Sequence, residues 1–269
     1  MTDTESGQAG WATLVLIGTI GGLLSGLFAI GGGLVMVPLL TTFARMNQRV
    51  ASATSLAAVV PAAVVGSITY LIAGEIDLTA GGLVSAGAIP GAVIGSALLR
   101  RIPLTVLRWM LIVFILLVAA RLLLITPVRG HHASFSLSVG AGYVMLGLLM
   151  GILSGLFGIG GGIIVVPALI AVFGFSDLVA KGTSLVVMIP TSLVGTAANW
   201  RAGSVNLRAG LVLGVVATLA SIPGALLALS IPARPSSVLF GILLVGVAAQ
   251  LAYRAVKARN ETKPASAPK

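Results

Sequence analysis

Two runs of three glycines interrupt apolar segments of this chain: Gly31, Gly32 and Gly33, and Gly160, Gly161 and Gly162. Glycine has no Cβ, so three in a row allow the backbone to leave helical geometry. Tight helix packing would explain only one glycine of each three, because consecutive residues point to different faces of a helix. A helix that starts at such a break exposes N–H groups at the positive end of its dipole. Two such starts facing each other predict a pocket for an anion.

A pair of hydroxyl side chains follows each glycine run, Thr54 with Ser55 in the first half and Thr183 with Ser184 in the second. Hydroxyls in membrane helices commonly bond a carbonyl one turn back, which is a structural role. Their occurrence after both breaks also makes them candidates for contact with a ligand. The sequence leaves both roles open.

Lys181 and Asn199 are two further candidates, and each belongs to the second half only. Lys181 lies three residues before Ser184, where the first half has Ser52. It either extends to the membrane surface, as lysine at the end of a span usually does, or attracts an anion. Asn199 occupies the position of Tyr70 in the first half and is a candidate for the ligand pathway.

The residues that are absent exclude other chemistry. There is no cysteine, and the two histidines are neighbours at positions 131 and 132 in a connection. An enzyme would need a nucleophile with a base, or a cluster of metal ligands. We therefore predict no enzymatic activity, no metal and no cofactor. We also predict no carboxylate proton relay within the membrane, since all six acids are assigned to tails or connections: Asp3, Glu5, Glu75, Asp77, Asp177 and Glu261.

The composition identifies a membrane protein. Of the 269 residues 58% are hydrophobic and 8% are charged, and the mean hydropathy is +1.14. A soluble globule would lack the polar surface to cover itself at this composition. Apolar runs of about 20 residues, the length that crosses a hydrocarbon core of roughly 30 Å, recur from end to end. We expect one all-α transmembrane domain over residues 1–269.

The second half of the chain repeats the first at a distance of 129 residues and without a gap. The strings SGLFAIGGGLVMVPLL (25–40) and SGLFGIGGGIIVVPAL (154–169) agree at 11 of 16 positions. The agreement falls mostly on Gly, Pro, Ser and Phe rather than on interchangeable aliphatic residues. This pattern indicates a duplication, with repeat 1 at about 12–125 and repeat 2 at about 136–254.

Each repeat divides into four hydrophobic blocks: 12–43, 51–73, 78–99 and 104–125, then 136–173, 183–200, 207–231 and 236–253. The first block of each repeat is too long for one span of about 20 residues. Cut at its glycines, it is expected to give two pieces too short for two spans. It is therefore either a broken spanning helix or a re-entrant hairpin, whose irregular backbone must be shielded by protein or face a watery cavity.

Basic residues distinguish these two topologies, because cytoplasmic connections collect Lys and Arg. If each first block spans, the 16 basic residues divide almost evenly between the two sides. If each first block returns to the side it entered, twelve of the 16 lie on one side. We therefore favour two inverted repeats with both termini in the cytoplasm. The net charge of +10 does not indicate a nucleic-acid partner, because the basic residues lie in connections and at the C-terminus.

Inverted repeats with glycine-broken helices predict a secondary transporter with its site where the breaks meet. The doubled motif SGLFxIGGGxxxVPxL, followed by ATSLAAVVP in one repeat and KGTSLVVMIP in the other, resembles the sulfite exporter TauE/SafE family, or TSUP transporters. The resemblance implies a multi-pass permease of the cell inner membrane. Its cargo would be a small sulfur-containing anion such as sulfite, a sulfonate or sulfoacetate. A passive anion channel of the same architecture is the alternative.

The inverted topology predicts which connections are accessible from outside the cell. The chain has no cysteine, so a single introduced cysteine provides the one labelling site. Glu75→Cys is expected to react with an impermeant thiol reagent added to intact cells, whereas Arg49→Cys, Arg101→Cys and Arg208→Cys are expected to stay unlabelled. Labelling of positions 49 and 208 from opposite sides would contradict the inverted arrangement.

Overall fold

The computed structural model describes residues 10–98, 136–157, 160–201 and 203–261 and ten helical positions between 109 and 124: Trp109, Ile112, Val113, Ile115, Leu116, Leu117, Ala119, Ala120, Leu123 and Leu124. Arg101, His131, His132, Asp3 and Glu5 lie outside these residues. The bounded helices are α1 (Trp11–Phe28), α2 (Gly33–Thr42), α3 (Gln48–Ile72), α4 (Leu78–Leu98), α5 (Leu137–Phe157), α6 (Gly162–Phe173), α7 (Asp177–Arg201), α8 (Leu207–Ser230) and α9 (Ala233–Glu261). The prediction of an all-α fold is confirmed.

Seven of these helices are long and apolar enough to cross a membrane, and α2 and α6 are the short ones, with 10 and 12 residues. The multi-pass architecture predicted from hydropathy is thereby confirmed. The expectation that both pieces of each first block are too short to span was wrong for the first piece. Since α1 has 18 residues and α5 has 21, each reaches about 27–32 Å at 1.5 Å per residue.

The short helix α2 runs back along α1. The end of the Met36 side chain in α2 lies where a Cβ on Gly21 of α1 would stand. The second repeat folds in the same way, since the Phe173 ring at the end of α6 lies 4.6 Å from the ring of Tyr143 near the start of α5. The pairs α1–α2 and α5–α6 are therefore helical hairpins, each with a glycine run at its tip.

Glycines allow the two repeats to pack backbone against backbone. On α1, Gly22 lies against the backbone of Ala217 in α8, and Gly26, one turn later, lies against that of Ser221. The order of these contacts makes α1 and α8 parallel. A helix pair approaches this closely only where no side chain intervenes. The equivalent pair, α4 and α5, is equally close: Gly151 lies against the backbone of Ala88, which is the counterpart of Gly22 against Ala217, and Gly87, Gly91 and Gly95 lie against the backbone of Val144, Leu148 and Ile152.

The equivalent helices α3 and α7 pack against each other at the centre of the bundle. Leu185 of α7 lies against Gly66 of α3, and Leu56 of α3 lies against Gly195 of α7. These two contacts are the same contact with the repeats exchanged, because Leu56 is the equivalent of Leu185 and Gly66 the equivalent of Gly195. The two helices therefore run antiparallel, and each carries the hydroxyl pair of its repeat towards the middle of the protein.

Candidate functional site

Both glycine runs have a left-handed backbone that residues with a Cβ rarely adopt. The φ angles are +75° at Gly31 and +62° at Gly32, and +78° at Gly160 and +80° at Gly161. Gly32 and Gly161 are the N-caps of α2 and α6, and neither helix start receives a hydrogen bond from a capping side chain. The predicted breaks, with a new helix starting directly after each, are confirmed.

The two breaks meet at Met188 of α7. The Met188 methyl group lies where a Cβ on Gly31 would stand, and it is 3.1 Å from the Cβ position of Gly160. At the same place Gly162, the first residue of α6, lies against the carbonyl oxygen of Ala29. The structure thus brings together glycines from both runs, as the sequence predicted.

Not every glycine of the two runs points to this meeting point. A Cβ on Gly32 would lie 2.6 Å from the carbonyl oxygen of Gly21, and one on Gly161 would lie 2.5 Å from the methyl group of Met150. These two N-caps therefore face their own hairpins. Gly33 closes the first turn, with its N–H donating to the Gly31 carbonyl at 2.6 Å.

Two apolar residues at the meeting point were missed by sequence reasoning. Val59 of α3 is the repeat equivalent of Met188, and it lies 3.3 Å from the Cβ position of Gly31 and 3.9 Å from that of Gly160. Together these two side chains fill the space between the two helix starts. Nothing in their type indicates a site, and only their equivalent positions in the two repeats connect them.

The predicted hydroxyls divide between the break and the helix caps. Ser184 Oγ donates to the carbonyl of Ala29 at 3.2 Å, so the second hydroxyl pair reaches the first break. Thr183 Oγ1 accepts from the N–H of Asp77 before α4 at 3.0 Å. Thr54 Oγ1 accepts at 3.1 Å from the N–H of Asn206, the N-cap of α8. The two threonine bonds are equivalents exchanged between the repeats, and they attach each central helix to a helix of the other repeat.

Ser55 and Asn199 bond their own helices. Ser55 Oγ donates to the carbonyl of Ser52 at 3.0 Å. Asn199 Nδ2 donates to the carbonyl of Gly195 at 2.8 Å, with its side chain half-buried near the end of α7. The Ser55 bond matches the structural role that the sequence left open for the hydroxyl pairs, and Asn199 likewise bonds a carbonyl one turn back in its own helix.

Lys181 is buried inside the bundle, with 1% of its side chain exposed. Its Nζ donates to Ser236 Oγ in α9 at 2.5 Å and lies 3.7 Å from the Asp177 carboxylate. It also lies 5.8 Å from the ring centroid of Phe28, the last residue of α1. The alternative in which Lys181 extends to the membrane surface is therefore wrong, because the ammonium group is held by partners within the protein.

Asp177 corrects a second expectation. The sequence assigned it to a connection, but it is the first residue of α7 and is buried, with 1% exposure. Ser176 precedes it and caps the helix, since Ser176 Oγ accepts from the N–H of Val179 at 3.2 Å. A hydropathy profile penalises two charges four residues apart, so the predicted block starts at residue 183, after both charges, whereas the helix starts at Asp177. In the fold these charges neutralise each other, which makes their burial possible.

An apolar groove of about 480 Å³ lies between α3 and α8, away from the breaks, with walls that include Pro61, Gly214 and Leu219. Pro61 and Leu219 are exposed on the outside of the bundle. The groove therefore opens on the outside of the bundle, and it offers an anion almost no polar surface. The meeting of the two breaks is therefore the better candidate site, although side chains fill it in this conformation.

Comparison with known proteins places this architecture in a family. The model of the family described as "Sulfite exporter TauE/SafE" matches residues 2–122 and 143–269. The chain is similar to three proteins of Bacillus subtilis (strain 168), each named as a probable membrane transporter protein. It is 26% identical to YunE over 269 residues, covering 90% of this chain and 97% of YunE. The identity to YdhB is 28% over 186 residues, or 68% of this chain and 76% of YdhB, and that to YjnA is 39% over 88 residues, or 33% of each. Because the family match covers most of both repeats, the chain belongs to the sulfite exporter TauE/SafE family.

Proposed function

We propose that this protein is a secondary transporter for small sulfur-containing anions such as sulfite, sulfonates or sulfoacetate, and that it carries out no chemical reaction. The observation that carries the proposal is the meeting of two glycine-broken helix starts around Met188. Helix starts without side-chain caps attract anions through their N–H groups and their dipoles. The description of the family as sulfite exporters agrees with this choice of cargo.

The course of the helices supports the inverted topology, in which both hairpins are re-entrant and both termini are cytoplasmic. The Arg208 guanidinium lies 4.5 Å from the ring centroid of Trp11, so the starts of α1 and α8 lie side by side. Both topologies put Arg208 on the side of the N-terminus, so the observation that favours the inverted one is the antiparallel course of the equivalent helices α3 and α7. We infer one transport domain in the inner membrane, built from two repeats of opposite orientation.

A carrier agrees better with the site than a passive channel does. A channel needs a continuous open path, at least when it conducts. In this conformation Met188 and Val59 fill the space between the two helix starts. A carrier requires such closed states, because it opens the site to one side at a time.

The buried lysine lies close enough to the first break to act on the cargo. Lys181 and Ser184 are three residues apart and share a face of α7, and the Ser184 hydroxyl reaches the carbonyl of Ala29 at the break. An ammonium group in a medium of low dielectric acts on an anion at longer range than it would in water. We infer that Lys181 draws the anion towards the first break.

Flux through the purified protein in proteoliposomes tests the proposed function directly. We expect saturable uptake and counterflow of at least one anion from a panel of sulfite, thiosulfate, sulfoacetate, other sulfonates and carboxylates. Liposomes without protein provide the control. Flux that does not saturate and gives no counterflow would instead support the channel. A folded protein that moves none of the sulfur anions would overturn the proposal.

Side chains at the two N-cap glycines are expected to stop transport. We expect Gly32→Ala and Gly161→Ala to lose most of the anion flux and the two valine variants to lose all of it. An added Cβ meets Gly21 or Met150 within 2.6 Å, and alanine in a left-handed conformation costs roughly 1–2 kcal/mol. All four variants are expected to insert and to remain monodisperse in detergent.

Gly74→Ala is the matched control for these variants, because Gly74 also has a positive φ, +74°, but no atom lies within 4 Å of its Cβ position. It is expected to keep the flux of the wild type. A transported anion should raise the melting temperature of the wild type and of Gly74→Ala, but not of the N-cap variants, since only a formed pocket gains binding free energy. Alanine variants at 32 and 161 that transport and are stabilised like the wild type would contradict the pocket.

The role of Lys181 requires a design that preserves the fold. Lys181→Ala alone removes the ammonium group from beside the buried Asp177 carboxylate, and breaking a buried ion pair from one side costs about 3–5 kcal/mol. We therefore use the double variant Asp177→Asn/Lys181→Met, which removes both charges. We expect its half-saturating anion concentration to rise about tenfold, equivalent to about 1.4 kcal/mol, with a weaker dependence on salt. Lys181→Arg is expected to retain most of the activity. An unchanged half-saturating concentration in a folded double variant would leave Lys181 only a structural role.

A further inference from the structure

Buried hydroxyls without a hydrogen-bond partner are unusual, and α7 carries two of them. In the described part of the chain the Oγ of Ser192 and the Oγ1 of Thr196 are buried and unpaired. A hydroxyl in a membrane helix ordinarily bonds a carbonyl one turn back, as the neighbouring Thr191 does to Val187 at 2.8 Å. An unpaired buried hydroxyl costs free energy, so it calls for a partner such as a ligand.

The two hydroxyls lie on the face of α7 that reaches the breaks. Met188, Ser192 and Thr196 are spaced by four residues and therefore follow one another along one side of the helix. Met188 stands between the two breaks, and Ser192 Oγ is 3.8 Å from the Cβ position of Gly160. The serine is fully buried, whereas Thr196 is partly exposed. This face thus leads from a partly exposed position to the start of α6.

The same face of the equivalent helix in repeat 1 has no such hydroxyls. Ala63 stands at the position of Ser192. Ser67 stands at the position of Thr196, and its Oγ donates to the carbonyl of Val64 at 2.8 Å. The fold therefore accommodates alanine at the serine position, and the packing of the two central helices does not require two unpaired hydroxyls.

From these contacts we propose that the transported anion binds against the second break, where Ser192 Oγ donates a hydrogen bond to it. Thr196 lines the route by which the anion arrives. This inference rests on the proposed transport function and names a residue of the same site outside both sequence motifs. The start of α6 provides backbone N–H groups on one side of the anion, and the serine provides a hydroxyl on another.

A cargo with several acceptor oxygens fits this arrangement. The oxygens of a sulfite or sulfonate group can accept from the helix start and from the hydroxyl together. A bound anion at this point also requires Met188 to move aside. An unbranched thioether side chain with three rotatable bonds does so more readily than a branched one.

Ser192→Ala tests the inference, with Thr191→Val as the matched control, because the control removes a neighbouring buried hydroxyl that is bonded to its own helix. With sulfite and sulfoacetate as probes, we expect Ser192→Ala to raise the half-saturating concentration about tenfold, as for the loss of a hydrogen bond to a charged group. Thr191→Val should leave it unchanged. Thr196→Val should lower the rate of uptake.

Melting temperatures separate binding from folding in this experiment. Without anion, Ser192→Ala should melt no lower than the wild type, because the variant loses an unpaired hydroxyl and gains the residue that repeat 1 carries. Its stabilisation by added anion should shrink. The assignment of Ser192 would be overturned if the wild type transports a probe and Ser192→Ala shows the same half-saturating concentration and the same anion-induced shift in melting temperature. A wild type that transports neither probe nor any other sulfur anion would overturn the proposed function as well.

Discussion

The architecture depends on one constraint, which is that irregular backbone inside a membrane must be covered by other protein groups. The glycine runs create such backbone twice, and each is covered by the other repeat or by its own hairpin. Gly162 lies against the Ala29 carbonyl, and Ser184 donates to that same oxygen. Groups of the second repeat therefore cover the first break, in addition to the cover from its own hairpin.

The two repeats contact each other through equivalent pairs of residues. The threonine hydroxyls of the central helices α3 and α7 accept hydrogen bonds from backbone N–H groups at the start of α8 and just before α4. Small residues allow α1 to pack closely against α8, and α5 to pack closely against α4. These symmetric contacts form the frame. Both repeats carry features that break the symmetry, among them the charge pair at Asp177 and Lys181 and the hydroxyls of Ser192 and Thr196 in repeat 2, and the bond from the Tyr70 hydroxyl to the Gly26 carbonyl in repeat 1. The proposed site is therefore asymmetric within a symmetric frame.

The buried charge pair illustrates how polar groups are retained in so apolar a protein. Ion pairs removed from water gain little net stability, because desolvation opposes their attraction. Lys181 nevertheless contacts three helices, through Asp177 in α7, Ser236 in α9 and the Phe28 ring in α1. Charged residues within membrane segments are usually retained for function. The pair lies one turn from the hydroxyl that reaches the first break, where such a function is expected.

The sequence by itself determined the features that depend on local chemistry. Hydropathy identified the membrane class and the 129-residue repeat identified the duplication. Consecutive glycines located both breaks, because a residue without a Cβ adopts a left-handed backbone at little cost. Only the tertiary structure decided that Asp177 and Lys181 are buried together, that Met188 stands between the breaks and that Ser192 has no partner. Each of these depends on side chains from distant parts of the chain meeting in a medium of low dielectric, where a polar group must find its partners within the protein.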